Sequence, residues 1–103
     1  MIHVVAIVTA KPGKREQILK AIRANLPAVR AEKGCIEYGP AVDADGIGPF
    51  QTKAGADTIF VIEKWSDAEA LRAHAAAPHM AAYAAKVKNL IANRVIHVLT
   101  PAQ

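Results

Sequence analysis

The apolar residues of this chain switch from strand spacing to helix spacing and back, twice, and few folds accommodate that order. Ile2-His3-Val4-Val5-Ala6-Ile7-Val8-Thr9 is β-branched and nearly continuous, and Lys11-Pro12-Gly13 ends it, so a first strand and a turn are predicted. From about Lys14 the spacing lengthens. Ile18, Ile22, Leu26 and Val29 form one stripe on a helix that ends near Glu32, with Gly34 as its stop. Pro27 lies inside that stripe, where the missing amide and the crowded carbonyl of Arg23 predict a kink or a break. Cys35 to Asp43 reads as a second strand, and Ala44 to Ala56, with Gly46, Gly48, Pro49 and Gly55, reads as a loop longer than a usual hairpin connection. Asp57 to Trp65 is a third strand, with Thr58, Phe60, Ile62 and Lys64 on one face and Ile59, Val61, Glu63 and Trp65 on the other. Ser66, followed three residues later by Glu69, has the form of a capping box that opens a helix through Leu71 and His74. Pro78 interrupts that helix. Met80, Tyr83, Val87 and Leu90 or Ile91 then make a second helical stripe, and Arg94 to Leu99 is the last strand.

The order βαββαβ within 103 residues is that of a ferredoxin-like α+β fold, an antiparallel sheet with helices on one face, and it leaves room for a single domain over residues 1–103. The other face of such a sheet is normally wet. Here strands one, three and four are apolar at both parities (Val4 and Val5, Val61 and Ile62, Val95 and Ile96), and 52% of the chain is hydrophobic, so that face must also be covered. A second copy's sheet would cover it. Burying about 800 Å² per partner contributes on the order of 10 kcal/mol before association costs, enough for a homodimer through the sheet face.

The formal charge of +4 raises a nucleic-acid reading, but the basic residues around the first helix are dispersed and interrupted by Glu16 and Glu32. No strand carries the basic and aromatic alternation of an RNA-binding sheet, so no nucleic acid is expected. No apolar run approaches the length of a spanning helix and no signal peptide is evident, so the expected compartment is the cytoplasm, with no membrane partner. A lone Cys35 permits no intramolecular disulfide and reads as a small buried hydrophobe.

Paired cysteines, a phosphate loop and HExxH are all missing, and Gly46-x-Gly48 lacks the rest of a dinucleotide fingerprint, so neither cofactor nor metal is expected. What remains is a polar and aromatic group near one end of the sheet: Glu63 and Trp65, then His74, His79, Tyr83 and Tyr38. His74 lies three residues after Leu71, on or beside the buried stripe of its helix, and reads either as a core histidine satisfied by a backbone carbonyl or by Glu63, or as a general base. Trp65 reads as core packing or as a stacking wall for a flat substrate, and Glu63 as a structural partner within the same catalytic group. Leu71, Met80 and Tyr83 would shape the pocket. His3 and His97, on strands that pair antiparallel, could lie side by side, but two histidines are too few for a closed metal site.

Phe60-Val61-Ile62-Glu63-Lys64-Trp65-Ser66-Asp67, followed by Ala70-Leu71-x-x-His74 and Pro78-His79, resembles the antibiotic biosynthesis monooxygenase (ABM) domain family, most of all its small quinol monooxygenases. The similarity extends over nearly the whole chain and includes Gly34-Cys35-Ile36-x-Tyr38. It implies a dimeric α/β barrel, and an enzyme that oxidises a small electron-rich aromatic (a phenol, quinol or polyketide-like ring) with O₂ and without flavin, metal or haem. A deprotonated polycyclic phenol can itself give electrons to O₂, so the protein need only bind it, take a proton and exclude water. By this resemblance His74 is the proton acceptor, Trp65 and Phe60 or Tyr83 are pocket walls, and the Ala44 to Ala56 loop is a lid, although the parity of Phe60 opposes that of Trp65. Characterised oxygenases of this superfamily often place an Asn on strand one or three, where this chain has Val5, Ala6, Ile7 and Val61. Alternative readings are a non-catalytic ligand-binding or stress-related dimeric barrel, a haem-binding or haem-degrading member of the superfamily, and an isomerase or decarboxylase using the same pocket for proton transfer.

Overall fold

A computed structural model describes residues 1–103. Its elements follow the predicted order: β1 (Ile2–Ala10), α1 (Arg15–Arg30), β2 (Cys35–Ala41), β3 (Thr58–Trp65), α2 (Ala68–Ala75), α3 (Pro78–Val87) and β4 (Ile91–Leu99). The strands form one antiparallel sheet in the order β2-β3-β1-β4, the ferredoxin-like arrangement. Val4, Ala6 and Val8 on β1 and Ile59 and Val61 on β3 face the helices, where they meet Ile18, Leu19, Ile22 and Val29 of α1 in the core. No helix is long and apolar enough to cross a membrane.

Local readings differ from the structure at four places. Pro27 does not break α1, because it lies on the solvent side, where water can satisfy the Arg23 carbonyl that loses its amide partner. The cap of α2 is Asp67 rather than Ser66: the Ser66 amide is held by the Gly34 carbonyl at 2.8 Å, and the Asp67 carboxylate accepts from Ala70 N, also at 2.8 Å. Strand β2 ends two residues early, at Ala41, since Asp43 turns to the loop and accepts from the amides of Ala54 and Gly55. Strand β4 starts three residues early, at Ile91, because β1 supplies partners as far as Ala10, with a bulge between Thr9 and Ala10.

The face away from the helices is apolar, as the strand parities require. Val5 and Ile7 of β1, Phe60 and Ile62 of β3 and Val95 of β4 share it, and none of them is buried within a single chain. Only 16 of the 103 residues are buried, so much of the hydrophobic surface remains outside the core. His3 pairs with Leu99 and His97 with Val5, which makes the two histidines diagonal neighbours on this face rather than side by side.

Candidate active site

One end of the sheet gathers the chemistry-bearing side chains. Cys35 at the start of β2, Trp65 at the end of β3 and Ile2 at the start of β1 lie in register there. The two-residue repeat of β3 sends Glu63 and Trp65 to the helix side, and Trp65 Nε1 donates to Glu63 Oε1 at 2.9 Å. Glu63 is thus a partner of the indole, not of His74. Tyr38 stands opposite Glu63 on β2, and its carbonyl is gripped by the Arg30 guanidinium at 3.1 and 3.2 Å.

Helix α2 then lays His74 over this floor. Its ring is 4.7 Å from that of Trp65 with 36° between planes, and 5.4 Å from that of Tyr38, while Tyr38 meets Trp65 edge-on at 6.4 Å. Trp65, His74 and Tyr38 are all buried. The partner of His74 is Glu32, on the turn after α1, whose Oε2 lies 2.8 Å from His74 Nδ1. A carboxylate accepts only, so Nδ1 carries a proton, and in the neutral ring the lone pair is on Nε2. His79, in the first turn of α3, brings Nε2 to 3.3 Å from the same oxygen but out of line for a hydrogen bond, and both its ring nitrogens are buried without a partner.

Burial sets the electrostatics. It pushes the Glu63 carboxyl up, against the opposing pull of the Trp65 N–H and of His74. Burial likewise drives the Tyr38 phenol well above the ordinary range, with Glu63 adding to it, and raises the Tyr83 phenol, which Arg94 partly restores. The Cys35 thiol is raised by burial and then by Glu32 and Glu63, the opposite of a reactive thiolate.

The remaining candidates separate. Leu71, Met80 and Tyr83 pack against the core from α2 and α3, and Met80 Sδ accepts from Asn25 Nδ2 of α1 at 3.4 Å. Phe60 points to the open face, away from His74, as its parity demands. The Ala44 to Ala56 loop leaves the sheet at the end where Ala41 pairs with Phe60, opposite the Trp65 end, so within one chain it is not a lid over His74. A cleft of about 300 Å³ lies beside Tyr38 and Cys35, and one of about 360 Å³ lies between the end of α3 and the start of β4; His74 and Trp65 line neither. Sequence reasoning missed Glu32, which reads as one acidic break in a basic helix surface. Only its position two residues before the Gly34 turn, next to the start of β2, links it to the site.

Comparison with known proteins agrees with this architecture. The family model described as antibiotic biosynthesis monooxygenase matches residues 1–86. The chain is 36% identical over 103 residues to the probable quinol monooxygenase YgiN of Escherichia coli, covering 98% of each sequence. Among solved structures it resembles PA3566 from Pseudomonas aeruginosa, at 26% identity and a TM-score of 0.80 over 99% of this chain and 94% of that one. Rv0793 from Mycobacterium tuberculosis gives the same identity and TM-score over 99% and 95%.

Proposed function

This chain belongs to the antibiotic biosynthesis monooxygenase family, and on that premise we propose that it is a cofactor-independent monooxygenase or quinol oxidase acting on a small electron-rich aromatic with O₂. The observation that carries the reading is the stack of His74 on Trp65 with Glu32 behind the imidazole. His74 Nε2 accepts the phenolic proton, Glu32 stabilises the imidazolium that forms, and Trp65 and Tyr38 give the site aromatic walls. The substrate supplies the electrons. For a naphthol-type phenol, O₂ delivers one oxygen atom to the ring carbon, two hydrogens leave the ring system as water with the second oxygen atom, and a quinone results. A hydroquinone instead passes two electrons and two protons to O₂, giving quinone and hydrogen peroxide. Either route gains from a buried site, where a phenolate is poorly solvated and gives up an electron more readily.

The assembly belongs to the same proposal. A second copy covers the open face of the sheet, burying Val5, Ile7, Phe60 and Ile62, and Phe60 then has an interface role instead of a place in the pocket. Light scattering after size exclusion should give a dimer or a multiple of one, and a monomer at micromolar concentration would contradict it.

The functional test is O₂ uptake with a panel of naphthols and hydroquinones. Uptake above the buffer rate, lost in His74→Ala and in Trp65→Phe while circular dichroism shows both variants folded, supports the oxygenase. Uptake no faster than buffer across the panel, with both variants behaving as wild type, leaves a non-catalytic binding barrel.

A further inference from the structure

The formal charge of +4 is confined to the last third of the chain. Residues 1–69 hold equal numbers of basic and acidic side chains, whereas residues 70–103 hold Arg72, Lys86, Lys88 and Arg94 and no Asp or Glu. Folding brings two of these four cations to one place. The cleft of about 360 Å³ lies between the second half of α3 and the start of β4, with Tyr83, Val87 and Ile91 among its apolar walls and Lys88 and Arg94 as its charged lining. That volume is in the range of small-ligand sites. Neither cation forms an ion pair within the chain, whose salt bridges all lie elsewhere. At the end of α3, Ala84 O and Val87 O accept from the amides of Lys88 and Leu90.

The cleft opens on the helix side of the sheet. Arg94 pairs with Val8, whose side chain faces the helices, so a second copy on the open face leaves the cleft accessible. Helix α3 runs from the cluster to the cleft: His79 in its first turn lies beside Glu32, and Lys88 caps its other end. Tyr83 lies between them along the helix and lines the cleft with Arg94.

We propose that this cleft is a binding site for an aromatic carboxylate, in which Lys88 and Arg94 bind the carboxylate while Tyr83, Val87 and Ile91 hold the ring system. The ligand class is an aryl carboxylic acid, and its binding is independent of the phenolic site at His74. The rise along α3 from His79 to Lys88 is about 13 Å, so the cleft stands apart from the His74 cluster. A guanidinium and an ammonium at an apolar cleft bind a carboxylate by charge-assisted hydrogen bonds, and a neutral ester of the same shape forfeits them.

The test is equilibrium binding of 6-hydroxy-2-naphthoate and of its methyl ester, followed by their own fluorescence. Wild type should bind the acid about tenfold tighter than the ester at low ionic strength, a preference that fades as salt is added. The double variant Lys88→Gln/Arg94→Gln should lose the preference and keep the ester affinity, while Arg72→Gln, an equal loss of charge on α2, should retain it. All three positions are exposed, so thermal melting should confirm the fold. Equal affinities for acid and ester in wild type, or a preference that survives the double substitution, overturns the proposal. Because no turnover is read, absence of O₂ uptake leaves the cleft assignment standing, and O₂ uptake without preference for the acid removes only the cleft.

Discussion

His74 and Glu32 are 42 residues apart in the chain and 2.8 Å apart in space, Nδ1 to Oε2. The contact decides which nitrogen of His74 can take a proton. A carboxylate admits only the Nδ1–H tautomer, whereas the amide of Glu32→Gln can turn its oxygen or its NH₂ to the ring and so admits both. Glu32→Gln should therefore lower turnover by about 10- to 100-fold with little change in substrate affinity. Imidazole nitrogen spectra should show Nδ1–H for His74 in wild type and a mixture in the variant. An Nε2–H tautomer in wild type would remove Glu32 as a positioning residue.

Glu63 gives a stability prediction whose sign depends on pH. Burial raises its folded-state pKa above the unfolded value of about 4.3, so the folded state holds its proton more tightly and stability falls as pH rises between the two values. Above the folded-state value the full penalty for the charged form persists. Glu63→Gln removes that penalty and keeps an oxygen to accept from Trp65 Nε1. The variant should unfold at higher urea than wild type at pH 8, with the gap closing as pH falls below about 4. A gap that widens toward acid pH would contradict burial as the dominant cause.

Asp43 behaves in the opposite sense. Its carboxylate accepts from Ala54 N at 3.0 Å and Gly55 N at 2.9 Å, bonds that hold its pKa below the ordinary value and close the base of the long loop. Those bonds are present above the unfolded pKa and are lost as pH falls through the lowered folded value. Asp43→Ala should therefore increase hydrogen exchange at Ala54 and Gly55 at neutral pH, while the amides of the β1 and β3 core strands stay protected. Unchanged exchange at those two amides would mean that the loop is held by Lys53–Asp45 and Gln51 instead.

The fold was legible because period two and period 3.6 are written in Val, Ile and Leu, and the opposed parities of Phe60 and Trp65 placed one on the open face and the other in the core. The cap of α2 was misread at Ser66 because its amide is claimed by Gly34, a partner 32 residues away. The site was half legible. Trp65, His74 and Tyr38 were visible as residue types on elements known to converge, but Glu32 lies on a turn, where no periodicity tells which way a side chain points. Its role appears only once α1 and α2 have been packed on the same end of the sheet.

That packing passes through Gly34. Its φ is +83°, and a Cβ there would lie 2.6 Å from both Ala70 Cβ and Ser66 Oγ, so both backbone strain and close approach exclude a side chain. Gly13 separates the two effects, since its φ is +77° but a Cβ would meet nothing within 4 Å. Gly13→Ala should cost about 1 kcal/mol, the strain of the left-handed conformation alone. Gly34→Ala should cost about 2–4 kcal/mol, because the start of α2 must also move away from the turn. Glu32 lies two residues before this turn and His74 four residues after Ala70, so the same displacement should lengthen the Glu32–His74 contact. Urea unfolding of the two variants measures the difference, and the His74 tautomer in Gly34→Ala reports the displacement. Equal costs at Gly13 and Gly34 would show that α2 yields freely at this point, and that the turn is not what fixes Glu32 against His74.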